Sequence, residues 1–166
     1  MKRILFLLML GAIGAFLVRQ FCIEAISVAS ASMEPTLPSG MTYFVNKMVY
    51  FFRAPQRGEI VVLPSPVNTK KDLIKRVIAI GGDILEINDK IVSLNGRELA
   101  EGYVRHTRKD EILYDDNLGP LVVPEGFVFL MGDNRDESGD SRDWKDIDGK
   151  YIYFIPIKKI KGKVMN

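Results

Sequence analysis

The sequence predicts a mainly β domain preceded by one N-terminal apolar helix, and three observations point there. An uncharged run from Ile4 to Val18 follows Lys2 and Arg3. Beyond Pro38, short stretches rich in Ile, Val, Phe and Tyr alternate with clusters of Gly, Pro, Asn and Asp, the pattern of strands and turns. The chain has 166 residues, 47% hydrophobic and 27% charged, which suits one domain of roughly 130 to 140 residues with a sizeable core behind an apolar terminus.

Composition excludes several function classes. The 23 basic and 21 acidic residues are spread along the chain and give a net charge of +2, without the clustering a nucleic-acid surface needs. No nucleic-acid partner is expected. Cys22 is the only cysteine and His106 the only histidine, so one chain cannot assemble a disulfide framework or a structural zinc site. No metal and no cofactor is expected.

At 1.5 Å per residue, Ile4 to Val18 covers about 22 Å, short of a ~30 Å hydrocarbon core. Arg19 can snorkel, and Phe21 to Ile26 continue mostly apolar apart from Glu24, so residues 4–26 are the predicted transmembrane anchor. The rival is a cleaved secretory signal, because Ala29-Ser30-Ala31 has the small-x-small pattern that would place a cut before Ser32. The long stretch from Val18 to that cut, carrying Arg19 and Glu24, favours a retained anchor. Lys2 and Arg3 favour a cytoplasmic end for residues 1–3, which sends residues 27–166 to the extracytoplasmic side of the cell's inner membrane.

Ser32 sits between this segment and the β-patterned region, with Pro35 and Pro38 bending the chain just after it. Proline pushes the preceding residue toward extended backbone, so Ser32 belongs on rigid, non-helical chain near a membrane surface. Met41 to Val45 is the first strand candidate. The apolar Met48 to Phe52 reads as core, with contact to lipid as the other possibility. Glu59 to Leu63 is a strand closed by Pro64 and Pro66, Asn68 to Asp72 a loop, and Leu73 to Ile80 the next strand.

Within that strand Lys75 and Arg76 are adjacent, so a two-residue period sends them to opposite faces and one must point toward apolar neighbours. The bland reading is an edge-strand lysine whose amine reaches solvent. The other is a buried amine, depressed in pKa and able to serve as a general base. Ile84 to Leu99 reads as a hairpin with turns at Asn88-Asp89 and Asn95-Gly96, and Glu101 to Asn117 as a surface loop or mobile hairpin holding a solvated His106. Leu121 to Val123 and Phe127 to Met131 are further strands. The stretch Gly132 to Arg142 has the composition of a tightly hydrogen-bonded loop, in which Asp140 and Arg142 can pair and leave Ser138 for another group. Tyr151 to Ile157 is the last predicted strand, followed by a basic tail from Lys158 to Lys163.

Four of these stretches together, Ser30 to Leu37, Arg57 to Val62, Lys75 to Asp83 and Gly132 to Arg142, resemble the boxes of the bacterial type I signal peptidases, the Ser/Lys-dyad leader peptidase family, in the same order. The resemblance implies a signal-peptidase-like coiled β-sheet domain behind one N-terminal transmembrane helix. It implies Ser32 as nucleophile, Lys75 as general base, and Ser30 with the backbone N–H of Ser32 as the oxyanion hole. Ser138 would orient the lysine amine, and Asp140 with Arg142 would support it. The implied activity is removal of signal peptides from exported preproteins after small-x-small motifs, with preproteins and membrane lipid as partners. Two other readings are a conjugative-transfer peptidase that processes pilin and a membrane-tethered β-domain that only binds.

Overall fold

The computed structural model describes residues 2–166. Helix α1 (Lys2–Phe21), rich in the good helix formers Leu, Met and Ala, opens the chain, and the apolar side chains described along it are exposed. Among the described residues, no helix is long and apolar enough to cross a membrane. The helix stops at Phe21. Residues 23–26, predicted as the end of the anchor, instead belong to strand β1 (Ile23–Ser27), an edge strand exposed along most of its length, with Glu24 and Ser27 as its polar side chains.

Ten strands follow: β2 (Thr42–Asn46), β3 (Ile60–Pro64), β4 (Asp72–Ile80), β5 (Ile84–Asn88), β6 (Ile91–Leu94), β7 (Arg97–Glu98), β8 (Leu118–Val122), β9 (Phe127–Met131), β10 (Ile155–Pro156) and β11 (Gly162–Met165). Seven form one antiparallel sheet in the order β1-β2-β11-β3-β4-β9-β10, and a four-stranded sheet runs β7-β6-β5-β8. The protein is therefore mainly β.

Both faces of the larger sheet are covered where it matters. Ile60 and Val62 pack with Met33, Leu37 and Ile74 on one face, while Val61 and Leu63 pack with Val77, Leu130 and Trp144 on the other. This explains why β3 reads as a continuous Ile-Val-Val-Leu run rather than an alternation. A further core joins the two sheets through Ile78, Leu85, Ile87 and Phe129. The predicted Asn95-Gly96 turn closes β6 onto β7 with both residues at positive φ, 53° and 76°.

Three further predictions need correction. Met48 to Phe52 is not core: Val49–Phe52 form a single helical turn, α2, and Phe51 and Phe52 are 76% and 80% exposed. Of Tyr151 to Ile157, only Ile155 and Pro156 pair as a strand, against Val128 and Phe127. The basic tail is not a tail. Residues 162–165 form β11, central in the sheet between β2 and β3, with Val164 wholly buried and the lysine amines of Lys161 and Lys163 turned outward to Asp72 and Glu59. Glycine at 162 is required there, because a Cβ would overlap the Asn46 carbonyl. The segment from Glu101 to Asn117 is a surface loop, one of the two forms expected for it, and not a hairpin. It docks on the loop after β9 through a parallel bridge between Arg105 and Asn134 and carries a short 3-10 turn at Tyr114–Asp116.

Candidate active site

Ser32 lies in a 3-10 turn, Ala31–Met33, held from below by the buried side chains of Met33 and Leu37. The turn is also bolted to the loop that follows β9. Asn134 donates its backbone N–H to the Ser32 carbonyl at 3.1 Å and its side-chain amide to the Ala31 carbonyl at 3.1 Å. The Ser32 hydroxyl is 3.2 Å from the Ser30 hydroxyl.

Lys75 sits on β4, a central strand flanked by β3 and β9, opposite Val61. Its residue exposure is 2%, which overturns the edge-strand reading. The amine donates to the Ser138 hydroxyl at 2.9 Å and forms no ion pair among the described residues. Burial holds the Lys75 amine below its usual 10.5, and this outweighs the opposing pull of Asp140 and Asp143. An amine in that state can be neutral at a pH where an exposed lysine is charged.

Behind Lys75 the polar groups are fully used. The Ser138 hydroxyl donates a hydrogen bond to Asp140 Oδ2 at 2.8 Å, and Asp140 also accepts from the Gly132 N–H at 3.0 Å and from Arg142 Nε at 2.8 Å and Nη2 at 3.0 Å. Burial alone would raise the Asp140 carboxyl, but the Arg142 guanidinium and these hydrogen bonds hold it below its usual value. Asp140 therefore stays an anion, able only to accept, which fixes the direction of the Ser138 hydroxyl proton and leaves a lone pair for Lys75. Gly132 closes the assembly. A Cβ there would overlap the Ser138 hydroxyl and the Ser32 carbonyl at once. Gly132→Ala is thus expected to lower stability by about 1–3 kcal/mol, the usual scale of overpacking, readable as a shifted urea midpoint.

Arg76, next to Lys75 in sequence, is buried on the opposite face. Its guanidinium grips Asp133 through Nε at 2.8 Å, reaches the Gly58 carbonyl at 2.7 Å, and lies 3.8 Å over the Tyr103 ring. Thr36 also donates to Asp133. Neither Asp133 nor Asn134 was picked out from sequence as a site residue, and the available signal was the dense Gly-Asp-Asn-Arg composition of their loop.

Ser30, Ser32 and Lys75 line one cleft of about 340 Å³, with Val28, Ile74 and Trp144 among its apolar walls. Ser138, Asp140 and Arg142 lie behind Lys75. The Ser32 hydroxyl and the Lys75 amine face this cleft without bonding each other, each being paired to a second serine. His106 is half-buried rather than solvated, with Nδ1 3.4 Å from Asp136. Among the described residues, no three His, Cys, Asp or Glu side chains are grouped as a metal ion would require. A serine hydroxyl and a depressed amine sharing a shallow apolar cleft can perform acyl transfer through serine.

That is the equipment of a serine peptidase, and the comparisons agree. The family described as signal peptidase, peptidase S26, matches residues 1–166. A signal peptidase I P of Bacillus subtilis subsp. natto is 38% identical over 165 residues, 93% of this chain and 89% of its own length. A probable signal peptidase I-1 of Synechocystis is 38% identical over 166 residues, covering 96% and 78%. The crystal structure of a signal peptidase I from Enterococcus faecalis superposes with a TM-score of 0.51 at 31% identity, over 69% of this chain and 98% of that one. The chain belongs to the signal peptidase family, peptidase S26.

Proposed function

We propose that this protein is a membrane-attached endopeptidase that removes signal peptides from exported preproteins, cutting after a small-x-small motif with Ser32 as nucleophile and Lys75 as base. The observation that carries this reading is the buried Lys75 amine, aimed by Ser138 and opening onto the same cleft as Ser32. Neutral Lys75 takes the proton of the Ser32 hydroxyl as its oxygen attacks the scissile carbonyl. The resulting oxyanion is held by the Ser32 N–H and by the Ser30 hydroxyl, which turns to it from Ser32, each such donor being worth roughly 3 kcal/mol. Protonated Lys75 then gives its proton to the departing amine of the mature protein, leaving the signal peptide as an ester on Ser32. Water, deprotonated by Lys75, releases it. The short move that brings Lys75 to Ser32 accompanies substrate binding, since such hydrogen bonds are often long in unliganded enzymes.

The shallow apolar walls, Val28 and Ile74 among them, suit small side chains on the substrate. For attachment, α1 offers a row of apolar side chains without protein cover, with Leu5 71% and Phe16 65% exposed, and Phe51 and Phe52 add a second apolar projection. We read α1 as the membrane attachment, with residues 27–166 on the extracytoplasmic side. The test is incubation of the detergent-solubilised protein with a preprotein whose signal ends in Ala-x-Ala, followed by mass determination of the products. Cleavage at that bond supports the reading, and an uncut preprotein in the presence of folded protein speaks against it.

A further inference from the structure

Lys90 stands at the tip of the hairpin joining β5 to β6, ordinarily among the most exposed places in a fold. Its side chain is nonetheless only 9% exposed. The residue also takes φ +72°, following Asp89 at +46°, in a turn whose second position favours glycine. A lysine held in left-handed backbone and folded inward is using its amine. That amine donates to the Arg108 carbonyl at 2.6 Å, lies 3.2 Å from Asp136 Oδ1 and lies 3.5 Å from Asp116 Oδ2. The hairpin tip is pinned in the same place by its backbone, Lys90 N–H to the Asp116 carbonyl at 3.1 Å and Asp89 N–H to the Asn117 side chain at 3.0 Å.

Both carboxylates lead to the site. Asp136 precedes Ser138 by two residues in the loop that also holds Asp140 and Arg142. Asp116 faces Arg142 Nη1 at 3.9 Å, beside Asp115 at 3.3 Å, while the other side of the same guanidinium holds Asp140. From these contacts we infer that Lys90 is a positioning residue for the reaction, a strap from the second sheet that neutralises Asp116 and Asp136 and so keeps Arg142 committed to Asp140. The inference rests on the reading of Lys75 as the base.

The direction of the effect follows from the groups involved. Facing Lys90 are Asp116 and Asp136, and Asp136 is also held by the Arg108 N–H and His106. Facing Lys75 are Asp140, Asp143, Arg142 and Asp133. Without the Lys90 charge, Asp116 competes for Arg142. Asp140 is then less neutralised and favours the ammonium form of Lys75, so more of the enzyme is inactive at a given pH.

The experiment is the pH dependence of kcat/KM for a preprotein ending in Ala-x-Ala, with wild type, Lys75→Ala, Lys90→Gly, Lys90→Gln and Lys90→Arg. Glycine suits the left-handed turn, so Lys90→Gly keeps the hairpin while removing the amine; if it fails to fold, Lys90→Gln carries the same comparison. The expected result is a loss on the order of ten- to a hundredfold near neutral pH, an acid limb displaced to higher pH, and recovery in Lys90→Arg. Folded Lys90 variants with the wild-type rate and an unmoved limb would overturn the strap while leaving the dyad standing. A wild type that does not cleave, or a Lys75→Ala variant that cleaves as well, would remove the dyad reading and the strap with it.

Discussion

Ser32→Ala is expected to reduce preprotein cleavage to background, and Lys75→Ala to lower it by about a hundred- to ten-thousandfold, the scale of a lost general base. The two defects are not expected to add, because the proposed nucleophile and base act in one step and either loss removes it. Lys75→Met separates chemistry from folding. The methionine has nearly the lysine's shape, and it removes an amine whose charged form is costly at 2% exposure. Its melting temperature is expected to match or exceed wild type while cleavage is lost. A Lys75→Met protein that folds and still cleaves at the wild-type rate contradicts the assignment.

Asp140→Asn is expected to have the second large effect, on stability as well as rate. Asp140 is completely buried and Arg142 is 3% exposed. Removing one partner of such a pair costs about 3–5 kcal/mol, because the remaining charge stays buried without compensation. The lower end applies here, since Asp115 remains 3.3 Å from Arg142. The pH dependence checks the source of the loss. Asp140 is depressed in the folded state, so its contribution is present above the usual 3.8 and disappears as pH falls through the folded value. Urea midpoints of wild type and Asp140→Asn should therefore converge on acidification. A constant gap down to low pH would show that the carboxylate charge is not what stabilises the fold.

How much of this was readable beforehand depends on the distance over which each feature is decided. The Asn95-Gly96 turn and the Ile60 to Leu63 strand are set by neighbours in sequence, and both appear as the local pattern predicts. Lys75 was visible as an anomaly, a cation in an apolar strand next to a second one. Its burial was not visible, because that depends on β3 and β9 arriving on both sides. The same limit hid β11: Gly-Lys-Val-Met is too short and too polar to announce a central strand, and only its register with Val45 and Val62 makes it one. Conversely, Met48 to Phe52 looks like core because apolar composition normally implies burial, yet here two phenylalanines face outward. The clamp of Asn134 on Ala31 and Ser32, and the pairing of Arg76 with Asp133, join residues far apart in sequence, by 103 positions for Ala31 and 57 for Arg76. Composition marked that loop as densely hydrogen-bonded but could not name its partners.

The acid–base role proposed for Lys75 is the centre of the mechanism, and burial holds its folded-state value below 10.5. Between that value and 10.5 the unfolded chain binds more protons, so the Lys75 contribution to stability should rise with pH across that window and be flat below it, whereas activity should rise through the folded-state value and level off above it. The most direct measurement is a titration of the Lys75 side chain by NMR on lysine-labelled protein, with Lys75→Met identifying the resonance. The expected result is a midpoint below 10.5 that coincides with the acid limb of kcat/KM for the free enzyme. A Lys75 amine that titrates at or above 10.5, or at a pH unrelated to that limb, would contradict the Ser32–Lys75 mechanism.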